Sequence, residues 1–313
     1  PQVPNAKYSS LGFFLQDEIA LMTKLSMILG VRFQTVTAKT KETPGLENEG
    51  LYESTDSTVV GTANLLYSVN DNLRLVFSVG RGFRSPNLIE RFFNGMTPEG
   101  SGFQSRNTDL KAESSLNFDL GFKYRNRNLY LESTYFNNTI RDGIRVEATG
   151  NRINGVPEYQ NTNIDKLRIY GFEFLGKYYF DFGLSCSFNF TSIKSDNLGN
   201  PEQPYTDTYA TKYNVGIRYE PKNSIFWMGY DLRINGDQKD VQLGDNPIGD
   251  IIPGFSVHSV SAGVTLFKKS RFPQQLGIIF GNIGNTLYSE FSNASFFRPA
   301  PKRHIVVTWS ASF

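Results

Sequence analysis

Apolar and polar residues alternate one for one along most of this chain. Leu116, Phe118, Leu120, Phe122 and Tyr124 lie on one side of a pleated segment, and Asn117, Asp119, Gly121 and Lys123 on the other. Successive side chains of a strand point to opposite faces, so a period of two predicts a strand with one oily and one wet face. The split recurs in Leu25, Met27, Leu29, Val31 and Phe33 against Ser26, Gly30, Arg32 and Gln34. It recurs in Leu73, Leu75, Phe77 and Val79 against Arg74, Ser78 and Gly80, and in Tyr213, Val215, Ile217 and Tyr219 against Lys212, Asn214, Gly216 and Arg218. The chain closes on HIVVTWSASF, where Ile305, Val307, Trp309, Ala311 and Phe313 form one row. Helical periodicity is almost absent.

Segment length sets the environment. Strands of soluble sandwiches are about five or six residues long, whereas these run for about ten or more. In hydrocarbon every backbone polar group needs a partner within the protein, so long strands with one oily row predict a closed wall whose apolar side chains face lipid. The predicted class is all-β, a transmembrane antiparallel β-barrel with a wet interior.

Connections alternate in length as well. Short ones fall at 22–24, 70–72, 125–128, 180–183, 220–223 and 268–274, and long polar ones at 39–56, 83–113, 141–165, 194–210, 235–253 and 288–302. Short periplasmic turns opposite long external loops are the usual asymmetry of outer-membrane barrels, and counting up and down gives about 13 strands. Bacterial single-chain barrels have even strand numbers with both ends periplasmic, so an odd count that begins outside predicts missing N-terminal strands. A self-contained passive porin of about 12 or 14 strands stays open as an alternative. The opening PQVPNAKYSS carries neither an initiating Met nor a signal peptide and is expected to lie inside a longer protein.

Composition narrows the functional classes. Twenty-six Phe and 16 Tyr beside 28 Gly, with 2 His, 2 Trp and 1 Cys, favour pleated structure. The 32 basic and 30 acidic residues are intermixed, for a net charge of +2, which leaves no electrostatic footprint for nucleic acid. No apolar run approaches the roughly 18 residues of a spanning helix. Cys186 shares a row with Leu184, Phe188 and Phe190, which makes it a small apolar filler. His258 and His304 sit in no motif and suit hydrogen bonding at the lumen or interface. With no catalytic triad, metal-ligand cluster or phosphate loop, neither enzymatic activity nor a cofactor is expected.

Two segments carry a family resemblance. FSVGRGFRSPNLIERF (77–92) followed by NTDLKAESSLNFDLGFKY (107–124) resembles the C-terminal barrel portion of TonB-dependent outer-membrane receptors. In that family a strand ending in a G-x-R-x-P-like segment precedes a long loop, and an N-P-x-L-K-P-E-like stretch re-enters the next strand. Here the second motif runs from Asn107 to Glu113 with Thr108 and Ala112 in place of both prolines. YFNNTIRDGI (135–144), YGFEFLGKYYF (170–180) with Gly171 and Glu173, GNIGNTLYSEF (281–291) and the final aromatic extend the resemblance over residues 8–313. The resemblance implies a Gram-negative outer-membrane location. It also implies that residues 1–313 form one domain, the C-terminal portion of a barrel of about 22 strands, without the N-terminal plug. Expected partners are outer-membrane lipid, the TonB complex through that plug, and the barrel assembly machinery through Phe313. The expected function is active import of a scarce nutrient, with a small anionic ligand such as a ferric siderophore.

Candidate recognition residues cluster in two loops. The segment 81–107 concentrates Arg91, Phe92, Phe93 and Arg106 at the outer mouth, and 288–302 contributes Phe296, Phe297 and Arg298. Arginines match carboxylates and catecholates, and aromatic rings stack on flat ligands. The same residues also suit bracing of the rim; Arg84, so near a strand end, is expected to be structural with Glu90, and Trp309 and Phe313 to anchor the last strand at the membrane interface. Haem receptors of the family usually place a histidine between the two loop motifs, and none lies between Arg84 and Asn107, which argues against haem.

Overall fold

The computed structural model describes residues 2–46, 50–97, 100, 102–201, 208–239, 251–267, 271–289 and 299–311. In chain order the elements are β1 (Ala6–Met22), β2 (Leu25–Thr40), β3 (Glu53–Ser68), β4 (Leu73–Arg84), the single-turn α1 (Leu88–Phe92), β5 (Gly95–Met96), β6 (Phe103–Ser105), β7 (Glu113–Arg125) and β8 (Leu129–Ile153). There follow β9 (Val156–Tyr179), β10 (Leu184–Asn197), β11 (Lys212–Tyr219), β12 (Phe226–Asn235), β13 (Phe255–Leu266), β14 (Gln274–Gly281) and β15 (His304–Ala311).

All strands belong to one sheet. Thirteen succeed one another as antiparallel neighbours, β1 to β4 and then β7 to β15, in agreement with the strand tally predicted from alternation. The two short strands lie off this path: β6 pairs with β5 and, in parallel, with β9. Among the described residues β1 pairs only with β2 and β15 only with β14.

The register carries the oily rows from strand to strand. Met27, Leu65, Phe77, Leu120, Tyr135 and Phe172 stand opposite one another on successive strands, as do Ile217, Tyr230, Val260, Phe280 and Ile305. These residues are turned outward: Leu116 is 57% exposed, Val59 57% and Val307 65%, too much for a dry core. Cys186 stands in the same face, opposite Ile217 and Tyr178. Lateral ring contacts knit the face together, among them Phe77 with Phe118 at 5.2 Å and Phe190 with Tyr213 at 5.1 Å between centroids. The opposite face is polar and bonded to itself. Ser78 donates to Asn64 at 2.6 Å, Lys123 pairs with Glu132 at 3.0 Å, and the Arg218 guanidinium lies 4.0 Å above the Trp227 ring. The buried apolar side chains are few, namely Val36, Ala38, Phe92, Leu110, Leu167 and Val257.

One expected loop is a hairpin. Residues 141–165, too polar to be read as strand, continue β8 and β9 far past the rim and turn at Asn154–Gly155, where φ is 51° and 84°. Asn-Gly is the residue pair that such a two-residue turn requires, because both positions need left-handed backbone. Polarity there reflects solvent on both faces, not a lack of pairing.

The two faces should respond differently to charge. Leu120→Arg, on the outward row, is expected to destabilise the folded protein in lipid by about 2–4 kcal/mol, whereas the inward Asp119→Asn should cost about 0.5 kcal/mol or less. Urea titration of the full-length protein in vesicles, followed by tryptophan fluorescence, measures both; equal losses would contradict the assignment of faces.

Candidate functional site

The segment between β4 and β7 does not project into solvent but folds back onto the inner wall at the end of the sheet that carries the long connections. Its entry is set locally. Pro86 is fully buried, and Asn87 caps α1: its Oδ1 accepts from the Glu90 amide at 2.9 Å while Glu90 Oε2 accepts from the Asn87 amide at 2.8 Å. This reciprocal box satisfies two amides at the start of the turn. Arg84 Nη1 donates to both Glu90 oxygens at 2.8 Å, and its Nε donates to Glu113, which stands directly opposite Arg84 in the β4–β7 ladder. One guanidinium thus ties together the last residue of β4, the helical turn and the first residue of β7. Glu113 also accepts from the Ile144 amide at 2.6 Å, which extends the knot to β8.

Arg91 and Phe92 point into the wall. Arg91 Nη2 meets Asp56 Oδ2 at 2.9 Å, and Nη1 donates to the carbonyls of Leu110 at 2.8 Å and Thr108 at 3.1 Å. Asp56 also accepts from Ser85 at 2.6 Å. Phe92 packs edge-on against Tyr52, 5.4 Å between centroids, and the Tyr52 hydroxyl donates to the Thr108 carbonyl. Val36 and Ala38, on the inward row of β2, are buried here. For the loop 81–107 the sequence leaves recognition and bracing open. At 1% and 2% exposure, Arg91 and Phe92 are held within the wall.

The far end of the loop docks on the extended hairpin. β10 stops opposite Leu167, so the second edge of β9 beyond that point lacks a wall strand, and β6 occupies it. Side chains reinforce the docking. Gln160 Nε2 donates to the Arg106 carbonyl at 2.8 Å, Asn107 Nδ2 to the Asn161 carbonyl at 2.8 Å, Asn161 Nδ2 to the Glu90 carbonyl at 2.9 Å, and Asn163 bonds both the amide and the carbonyl of Lys111. Glu158 accepts from Ser105, Thr149 and Asn151, and these bonds, Ser105 first, hold its carboxyl below the usual carboxylate range.

Between this docked loop and the β2–β3 connection lies a pocket of about 750 Å³, lined by Thr40, Lys41, Glu42, Leu51, Tyr52, Phe92, Arg106 and Thr108 among others. Lys41 and Arg106 bring cationic groups to the lining, Glu42 a carboxylate, Thr40, Thr43 and Thr108 hydroxyls, and Leu51, Tyr52 and Phe92 apolar groups. Of the residues singled out from sequence, Arg106 lines it and Phe92 forms part of its floor; Phe93 caps α1 through its amide to the Ile89 carbonyl, and Arg84 lies at the knot described above. Trp309 is 65% exposed on the outward row of β15 and donates to Gln274. Phe296, Phe297, Arg298 and Phe313 lie outside the described residues. Lys41, Tyr52 and Asp56 were not anticipated; the run KTKET at 39–43 signals Lys41, and no motif marks Tyr52 or Asp56.

A second knot stands on β13. Asn282, buried with φ 50°, accepts from the Thr286 amide at 2.8 Å and donates to the Thr286 carbonyl, while Thr286 Oγ1 bonds the Ser256 carbonyl. This accounts for the asparagine and threonine of GNIGNT as turn-formers. Among the described residues no group of three or more His, Cys, Asp or Glu could hold a metal ion. His258 accepts or donates with the Tyr230 hydroxyl at 2.7 Å on the outward face, and His304 bonds the Lys302 carbonyl.

Comparison with known proteins follows the same lines. The family model described as TonB dependent receptor-like, beta-barrel, matches residues 1–285. A hemoglobin and hemoglobin-haptoglobin-binding protein C of Haemophilus influenzae is 25% identical over 51% of this chain and 17% of its own length. The ferrienterobactin receptor of Escherichia coli is 25% identical over 44% of this chain and 20% of its own length. The structure of the copper transporter OprC superposes with a TM-score of 0.80 at 18% identity, covering 98% of this chain and 47% of that one. The chain therefore spans about a fifth or less of these two curated relatives.

Two outcomes are expected at the docked loop. Asp56→Ala leaves Arg91 buried without its carboxylate, at a cost of about 3 kcal/mol; trypsin should then cleave within 85–112 faster than in the unaltered protein while the wall stays folded. Unchanged cleavage would show that the pair does not hold the loop. Glu158 has a depressed carboxyl in the folded state, so its stabilisation is complete above the ordinary carboxylate value of about 4.3 and is lost as pH falls through the folded value. Protection of the 103–105 amides, measured against their intrinsic exchange rates, should fall on acidification below about pH 4, and Glu158→Gln should remove that pH dependence.

Proposed function

The chain belongs to the TonB-dependent receptor-like β-barrel family, and on that premise we propose that it is the C-terminal wall of an importer for an anionic iron chelate of the siderophore type. It is an outer-membrane receptor barrel, not an enzyme. Residues 1–313 act in this reading as one unit of a larger barrel, with energy supplied through TonB and a plug contributed by the rest of the protein. The share of its relatives that the chain covers supports this.

The observation that carries the ligand class is the inner-face pocket. Its lining brings two cationic residues, Lys41 and Arg106, together with a single carboxylate, Glu42, beside Tyr52 and Leu51, and contains no histidine to ligate a haem iron. Catecholate chelates expose oxygens and flat rings, which suit this lining. The name of the Escherichia coli relative, a ferrienterobactin receptor, points the same way. The family model, which describes a TonB dependent receptor-like barrel, disfavours a passive porin.

The test is growth of an iron-starved deletion strain complemented with the full-length gene and fed single ferric chelates. Rescue should require TonB, and Lys41→Ala with Arg106→Ala should weaken binding of the rescuing chelate by about tenfold or more. Rescue that persists without TonB, or chelate binding indifferent to both substitutions, would overturn the reading.

A further inference from the structure

The outward face is not oily along its whole height. Toward the rim with the long connections, five cations share it. Arg81, Leu116, Thr139, Arg168 and Asp196 stand in one row across β4, β7, β8, β9 and β10. The next row places Phe83, Ser114, Arg141 and Lys166 side by side, and Lys194 stands opposite Tyr170 in the row below. Their face is that of Leu116 and Leu120, which are 57% and 51% exposed. Arg81, Ser114, Leu116, Thr139, Arg141 and Lys166 enclose a recess of about 480 Å³.

Charge in this patch is unbalanced. Among the described residues Asp196 is its one carboxylate and is engaged by Arg168 at 4.0 Å; Arg168 also bonds Asn137 and stacks on the Tyr170 ring at 4.4 Å. Higher on the same face Glu147 is held by Arg145 at 3.0 Å. The side chains of Arg81, Arg141, Lys166 and Lys194 have no hydrogen-bond or ion-pair partner among the described residues. Arg141 and Lys166 stand directly opposite each other, about 5 Å apart along the ladder, an arrangement that costs free energy unless an anion lies between them.

Height identifies the anion. Arg81 follows Leu73, the first residue of β4, by eight positions, and Arg141 follows Leu129, the first residue of β8, by twelve. With a rise of about 3.3 Å per residue and a tilt of about 40°, these positions climb roughly 20–30 Å, which matches the apolar band of about 25 Å. The cations therefore meet the headgroups of the outer leaflet.

We propose that Arg81, Arg141, Lys166, Arg168 and Lys194 form a binding site for the phosphate groups of the outer leaflet's glycolipid, with its acyl chains laid along the row of Leu116 and Leu120. This assignment rests on the outer-membrane location, not on the import reading, and the two fail separately. Phosphate oxygens accept charge-assisted bonds from the two arginines of the recess, and Lys166 adds a point charge.

Native mass spectrometry and thermal unfolding of the full-length protein in detergent test it with purified lipid A as probe. Bis-phosphorylated lipid A should be retained and should raise the unfolding temperature, and the dephosphorylated form should bind about tenfold or more weakly. Arg141→Gln with Lys166→Gln should lose the same preference, whereas Lys24→Ala, at the opposite end of the wall, should keep it. Equal binding of both lipid A forms to the unaltered protein overturns the proposal, and this arm stands even where the double variant does not fold. Displacement by phosphatidylglycerol or by inorganic phosphate at equal concentration would also overturn it, by assigning the patch to a general phosphate.

Discussion

A strand exposed to hydrocarbon cannot leave an amide or carbonyl without a partner inside the protein, and this one constraint orders the rest of the molecule. It forces neighbouring strands into unbroken ladders, and the ladders fix which residues share a face. From β4 to β10 the register holds residue for residue below the irregularity that begins after Ala148, so the sequence of each strand there need only alternate to present lipid with an apolar surface. Hydrophobic side chains are spent outward, which is why so few are buried. What would be a core in a soluble protein is here a polar wall whose residues bond one another.

The loop between β4 and β7 shows how a polar interior can still hold something rigidly. Few apolar side chains press it into place. Its order comes from two guanidinium groups, each engaged more than once: Arg84 by Glu90 and Glu113, Arg91 by Asp56 and two carbonyls. Breaking a buried pair costs far more than forming it gains, so such a clasp specifies one docked position more than it adds stability. Arg84 and Glu113 come from the two segments whose resemblance to the receptor family was most specific. Their direct apposition in the ladder gives that pairing of motifs a physical reason.

Strand existence, face and order were legible because period two survives wherever one side meets lipid. The alternation of Leu116 to Tyr124 needed no structure to be read. Legibility ended where both faces meet water: the extension of β8 and β9 carries no oily row, and only Asn154–Gly155 marked it as a hairpin. The mouth was harder still. Arg91 and Arg106 look alike in sequence, yet one is buried against Asp56 and the other lines the pocket with Lys41, a residue some sixty positions earlier. Which arginine braces and which faces the pocket is decided by the one-turn helix and by the free edge of β9, and neither is encoded by composition.

The placement of cations makes a final distinction between the two sides of the wall. Inside the mouth, the guanidinium groups of Arg84 and Arg91 are neutralised by carboxylates of the chain itself, because nothing else is guaranteed to be there. On the outer face Arg81, Arg141 and Lys166 stand together without such carboxylates, although the register could have placed one opposite each at no cost to the ladder. A wall that supplies its own counter-ions on one face and omits them on the other is matched to a surrounding that brings its own negative charge. The leaflet of phosphorylated lipid is such a surrounding, and the same logic that turns Leu116 and Leu120 outward then extends from the acyl chains up to the headgroups.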